Sequence, residues 1–114
     1  TDISIEADNR AAFVAECKIW NGEKKFTDAI AQLLGYLTWR DVKTALIVFS
    51  RKRRFDDVLA HVSNALQSHE DIRSFKAIDR NELDCQFVRS DKPGQITHVR
   101  VLVFDLYSEQ GGKL

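Results

Sequence analysis

Apolar and polar side chains alternate over residues 2–6, with Ile3 and Ile5 set against Asp2, Ser4 and Glu6, the two-residue period of a β-strand. Asp8-Asn9-Arg10 is a polar turn, and the alternation resumes over residues 11–19. Phe13, Ala15, Cys17 and Ile19 fall on one side there, and Val14, Glu16 and Lys18 on the other. Two strands about a short Asp/Asn turn predict a hairpin. Asn21-Gly22 breaks the pattern. From about Lys24 to Arg40 the period becomes helical, with Phe26, Ala29, Ile30, Leu33, Leu34 and Leu37 in one broad stripe. Thr44 to Phe49 is a nearly unbroken apolar run, the pattern of a strand covered on both faces. A second helix is expected from about Phe55 to Ser68, where Phe55, Val58, Leu59, Val62 and Leu66 keep helical spacing. A polar stretch follows. Leu83, Cys85 and Phe87 alternate as a strand, Lys92-Pro93-Gly94 is a turn, and Val99 to Leu106 is a final strand. Strand, helix and buried strand make a crossover unit, which should be right-handed. The class is therefore α/β, a mixed sheet flanked by at least two helices, with a domain over residues 1–107 and a loose tail over 108–114.

Composition limits the function classes. The 114 residues fit one domain, 44% of them are hydrophobic, and no apolar run approaches a membrane span. The chain opens directly in strand-like residues, so it reads as a domain excised from a longer protein, with an N-terminal part of the fold expected upstream. The formal net charge of zero counts mildly against a nucleic-acid partner, since phosphate contacts call for Lys and Arg. Cys17 and Cys85 lie in separate strand patterns without CxxC spacing. A disulfide remains open, but buried thiols in a cytoplasmic protein suit the pattern better. His61, His69 and His98 lack zinc-site spacing and are expected at the surface.

The first hairpin brings charged residues together. If Asp8-Asn9-Arg10 is a three-residue loop, Ala7 faces Ala11, Ile5 faces Phe13, Ile3 faces Ala15 and Asp2 faces Glu16. Directly opposed Cβ atoms lie roughly 4.5–5.5 Å apart on one face, and Lys18 shares that face. Two carboxylates so close repel unless a proton, Lys18 or a divalent cation lies between them, and carboxylate oxygens suit hard cations such as Mg²⁺ or Mn²⁺. A metal there would acidify a bound water, and a nearby Lys would neutralise developing charge. On spacing alone, Glu-x-Lys is more often an ordinary exposed ion pair.

Asp2 at a strand start, then Phe13-Val14-Ala15-Glu16-Cys17-Lys18, then a helix carrying Gln32-Leu33-Leu34-Gly35-Tyr36, resembles the core of the PD-(D/E)xK nuclease superfamily, and small prokaryotic members in particular. The resemblance covers residues 1–50 with motifs and the remainder by architecture. It implies a restriction-endonuclease-like fold and phosphodiester hydrolysis, with DNA as the expected partner. It also implies that Asp2, Glu16 and the Cys17 backbone carbonyl hold Mg²⁺ or Mn²⁺, that Lys18 is catalytic, that Gln32 approaches the site, and that Tyr36 supports the helix or contacts substrate. The alternative is an inactive module of the same fold that binds DNA or a protein. Nucleases that cut both strands often pair, so a homodimer is compatible with either.

Further residues refine that expectation. Arg51-Lys52-Arg53-Arg54, between the buried strand and the second helix, is either a phosphate-contact loop or a solvated one. Positive charge at a helix N-terminus is mildly unfavourable, which favours the former. Lys24 and Lys25 begin the first helix, where lysines more often solvate a first turn than guide a nucleic-acid backbone. Trp20 is more often sheet packing than a base-stacking platform, and Trp39 suits core or interface. Gly35, inside a good helix, costs about 1 kcal/mol relative to Ala, which suggests close packing against the sheet or a second subunit.

Overall fold

The structure is a computed structural model. It describes residues 2–7, 10–36, 43–90 and 93–107, and the side chains among them other than those of residues 2–14, Tyr36 and Lys43. The tail 108–114 and Trp39 lie outside the described residues. Among the described residues, six strands and two helices follow in the order β1 (Asp2–Ala7), β2 (Arg10–Ile19), α1 (Glu23–Tyr36), β3 (Lys43–Ser50), α2 (Phe55–Gln67), β4 (Ile72–Asp79), β5 (Glu82–Val88) and β6 (Ile96–Asp105). The strands form one mixed sheet in the order β1-β2-β3-β6-β5-β4. β2, β3 and β6 run parallel, and the outer pairs β1–β2, β6–β5 and β5–β4 are antiparallel.

The topology follows from two crossovers. Gly22, at φ 94°, takes a backbone conformation that side chains disfavour and turns the chain from β2 into α1. The chain returns as β3 beside β2. From β3, α2 carries it past two strand positions to β4, and β5 and β6 fill the gap by antiparallel returns. Both crossovers move the same way across the sheet, so a common right hand places both helices on one face. There Phe26, Ile30, Leu33 and Leu34 of α1 and Val58, Val62, Ala65 and Leu66 of α2 pack with Leu46, Val48, Leu83, Cys85, Phe87, Val99, Val101 and Val103. The Asp56 and Asp57 carboxylates in the first turn of α2 suit its N-terminus. They also answer the charge at Arg54, whose Nε lies 3.3 Å from Asp57 Oδ2. The N-terminal cost expected for Arg54 is thus offset and offers no support for a role in binding.

Several expectations need correction. The β1–β2 register is Asp2 opposite Glu16, Ile3 opposite Ala15 and Ile5 opposite Phe13, but Ala7 pairs with Arg10 and Glu6 with Ala11. An irregularity after Ile5 absorbs one residue, so Arg10 belongs to β2 and not to a three-residue loop, while the register at Asp2 is kept. The polar stretch after α2 contains β4, an edge strand bonded to β5 alone and mostly exposed. Such a strand needs little apolar alternation, which hid it. β6 begins at Ile96, ahead of Val99, because it pairs with Val88. α1 is described to Tyr36, and the expected continuation to Arg40 lies outside the described residues. β3 is covered by helices on one face alone among the described residues: Ile47 and Phe49 look the other way and are half-buried. A Cβ built on Gly35 meets nothing within 4 Å among the described residues, so no close approach to the sheet there explains this glycine. Neither cysteine is in a disulfide; Cys17 is half-buried and Cys85 is buried. Burial, with Asp84 nearby, pushes its thiol up to about 12, which makes it an unreactive apolar filler.

Candidate active site

The two sides of β2 do not pack as their polarity suggests. Glu16 pairs with Leu46 and Lys18 with Val48 in the parallel β2–β3 ladder, and directly paired residues share a face. The charged side of β2 is therefore the helix-covered one. Cys17 and Ile19 point to the helix-free face, where Ile19 is 56% exposed and Phe49 and Phe104 stack with centroids 5.8 Å apart. Glu16 is only 2% exposed. Burying a carboxylate is unfavourable unless it is paired and hydrogen-bonded. One oxygen meets that condition: Lys18 Nζ lies 3.2 Å from Glu16 Oε1. The other, Oε2, is buried and has no hydrogen-bond partner among the described residues. Such an oxygen fits a cation or a further donor.

Lys18 connects this carboxylate to solvent. Its side chain is 41% exposed, and it lines a cavity of about 380 Å³ together with Asn21, Lys25 and Gln32, floored by Trp20, Phe26 and Val48. β2 and α1 thus bring Glu16, Lys18, Gln32 and Lys25 into one neighbourhood. Asp2 is the Cα partner of Glu16 across the β1–β2 pair; its side chain, like that of Tyr36, lies outside the described residues. The Cys17 backbone carbonyl follows Glu16 on the same strand, and its thiol belongs to the opposite face.

The remaining basic residues separate by position. Lys24 Nζ lies 3.4 Å from Asp28 Oδ2 along the exposed flank of α1. Arg51, Lys52, Arg53 and Arg54 are exposed just beyond β3. Because β2 and β3 are parallel, this run emerges at the same end of the sheet as Trp20, whose N–H donates to the Phe49 carbonyl at 2.8 Å. Trp20 is 7% exposed. It lies against Phe26 and stacks on His61 with centroids 6.4 Å apart, so it is a packing residue and no open platform for a base.

Some neighbours carried no signal in the linear pattern. His61, expected as a surface residue without a role, is exposed but bonded: its Nδ1 lies 2.6 Å from Glu23 Oε2. Asn64 Nδ2 donates to Glu23 Oε1 at 3.2 Å. These hydrogen bonds, from His61 first and then Asn64, hold the Glu23 carboxyl below its ordinary value. His69 Nδ1 accepts from the Asp71 N–H at 3.0 Å and its ring meets Phe87 edge-on. Asn21 had been legible only as a pattern breaker, yet it lines the cavity beside Lys18.

Among the described residues, no group of three or more His, Cys, Asp or Glu side chains is placed to hold a metal ion. The acidic oxygen there that could take a hard cation is Glu16 Oε2, which has no hydrogen-bond partner among the described residues, and Asp2 is the Cα partner of Glu16 on β1. No helix of the described residues is long and apolar enough to cross a membrane. No protein-family model, curated protein or solved structure matches this chain.

Proposed function

We propose that this chain is a nuclease-type domain of the PD-(D/E)xK kind that hydrolyses phosphodiesters in DNA, with Mg²⁺ or Mn²⁺ held by Asp2, Glu16 and the Cys17 carbonyl. The observation that carries this reading is the buried Glu16, with Lys18 on one oxygen and no hydrogen-bond partner among the described residues on the other. An apolar residue would stabilise a helix-covered strand better. A charged residue kept there, against the packing preference, is what a functional site looks like. Support also comes from the path of the chain: an antiparallel hairpin leads through one helix into a strand parallel to its second arm, which accords with a restriction-endonuclease-like core.

The residues divide the work as follows. Asp2 and Glu16 are Cα partners across one strand pair, and as acidic residues they would offer the hard oxygens that such a cation prefers. The cation they would hold supplies an acidified water and charge neutralisation at the phosphoryl oxygens. Lys18 reaches from Glu16 into the open cavity, so its ammonium can hold a non-bridging phosphate oxygen as negative charge develops there. Gln32, on the opposite wall, offers an amide to orient the substrate or the attacking water. The Lys18–Glu16 pair by itself would suit a second reading, a fold that binds DNA or a protein without cutting. The unmet Glu16 Oε2 favours the first.

Incubation with Mn²⁺ and single- and double-stranded DNA and RNA tests the proposal. Cleavage of DNA is expected, lost in Glu16→Gln and lowered roughly 10²–10³-fold in Lys18→Ala, the scale of removing one charge-stabilising donor. If every substrate stays intact with folded protein and either metal, the catalytic reading is wrong. Retained DNA binding in that case selects the non-cutting module.

A further inference from the structure

A second depression lies across Trp20 and Asn21 from the cavity that holds Lys18. It measures about 390 Å³ and is lined by Trp20, Asn21, Gly22, Glu23, Lys52 and His61. The two depressions share Trp20 and Asn21 as a common wall. Each is of the size that takes a nucleotide-scale ligand, roughly 300–1,000 Å³ for small-molecule sites. Their cations differ in commitment. Lys18 is tied to Glu16, and Lys24, which lines neither depression, is tied to Asp28. Lys25 and Lys52, one in each depression, enter no ion pair among the described residues. Each depression also has one acidic residue, and both are engaged: Asp28 of the first by Lys24, and Glu23 of the second by His61 and Asn64.

We propose that the two depressions are one track for a single nucleic-acid strand, with Lys25 and Lys52 each holding a phosphate and Asn21 bonding the strand between them. The proposal rests on the phosphodiesterase reading of the Glu16–Lys18 site and adds the route by which substrate reaches it. Positive charge lining a groove that follows a backbone is the ordinary means of holding a single strand. Phosphate contacts of this kind set register and not sequence. A single strand is selected because the reactive carboxylate is recessed. Glu16 is almost fully buried, and a flexible strand can lower a phosphate toward Lys18, whereas a stiff duplex must first be deformed. The track also divides the basic run, since Lys52 lines it and Arg51, Arg53 and Arg54 do not.

Fluorescence anisotropy with a labelled oligothymidylate and the corresponding dA·dT duplex, in Ca²⁺ across a salt series, tests the track. The expected result is tighter binding of the single strand. Lys25→Ala and Lys52→Ala should each reduce the salt slope by about 0.7, the release expected per single-strand phosphate contact. Lys76→Ala and Arg73→Ala, on the far edge strand β4, should leave it unchanged. Equal affinity for the duplex, or unchanged slopes in both track variants, overturns the track and leaves the hydrolytic site standing. Failure of the wild-type protein to bind either probe removes the track together with the nucleic-acid reading. Strand binding along the track without Mn²⁺-dependent cleavage removes the hydrolytic reading alone.

Discussion

At the scale of single residues, Glu16 is the position where stability and the proposed function pull apart. A buried carboxylate with one lysine partner and, among the described residues, no hydrogen bond to its second oxygen is a net cost to the fold. Glu16→Gln should therefore leave the metal-free protein at least as stable as wild type, by thermal denaturation. Its gain on adding Mn²⁺ should disappear. The wild-type gain should be about 2.7 kcal/mol at a hundredfold excess over Kd. A large loss of stability without metal would instead make Glu16 a structural residue. Gly35 gives a separate test. It lies in α1 with open space where a Cβ would sit, so Gly35→Ala should stabilise by about 0.5–1 kcal/mol, read from urea denaturation. A destabilised variant would mean that the position does not accept a Cβ.

At the scale of elements, the alternation of β2 was legible in the sequence, but the side that packs was not. Phe13, Ala15, Cys17 and Ile19 form the more apolar set, yet the helices cover the side of Glu16 and Lys18. Local polarity cannot say which face a crossover helix will cover; the hand of the connection decides it. Leu46→Ala, on the covered face, should cost about 2–5 kcal/mol. Ile19→Thr, on the open face, should stay within about 0.5 kcal/mol. Comparable losses at both would refute the assignment of faces. The α1–α2 junction adds a pH dependence. Hydrogen bonds from His61 and Asn64 hold Glu23 below its ordinary 4.5. Its contribution is then present above the unfolded value and lost as pH falls through the lower folded value. Glu23→Gln should flatten the stability profile below about pH 4.5, as measured by acid titration of the unfolding midpoint.

At the scale of the whole molecule, the sequence yielded both helices, five of the six strands and the Asp2–Glu16 register. β4 escaped because an exposed edge strand carries little apolar signal. The candidate site was half legible. Glu16, Lys18 and Gln32 followed from spacing and resemblance. Asn21, and the separate fates of Lys24, Lys25 and Lys52, depend on which residues the folded chain gathers around Trp20. The sheet assigns its parts to different tasks. One face, under two helices, carries the core and the recessed carboxylate. The sheet end where β2 and β3 emerge together carries the basic loop.

The most direct measurement is anomalous diffraction from a crystal of the protein soaked in Mn²⁺. The account predicts a manganese peak bonded to Glu16 Oε2, at about 2.0–2.2 Å as for a hard cation on carboxylate oxygen, with Asp2 completing the pair from the opposite strand. A crystal in which manganese binds elsewhere while Glu16 keeps only its contact with Lys18 would contradict it.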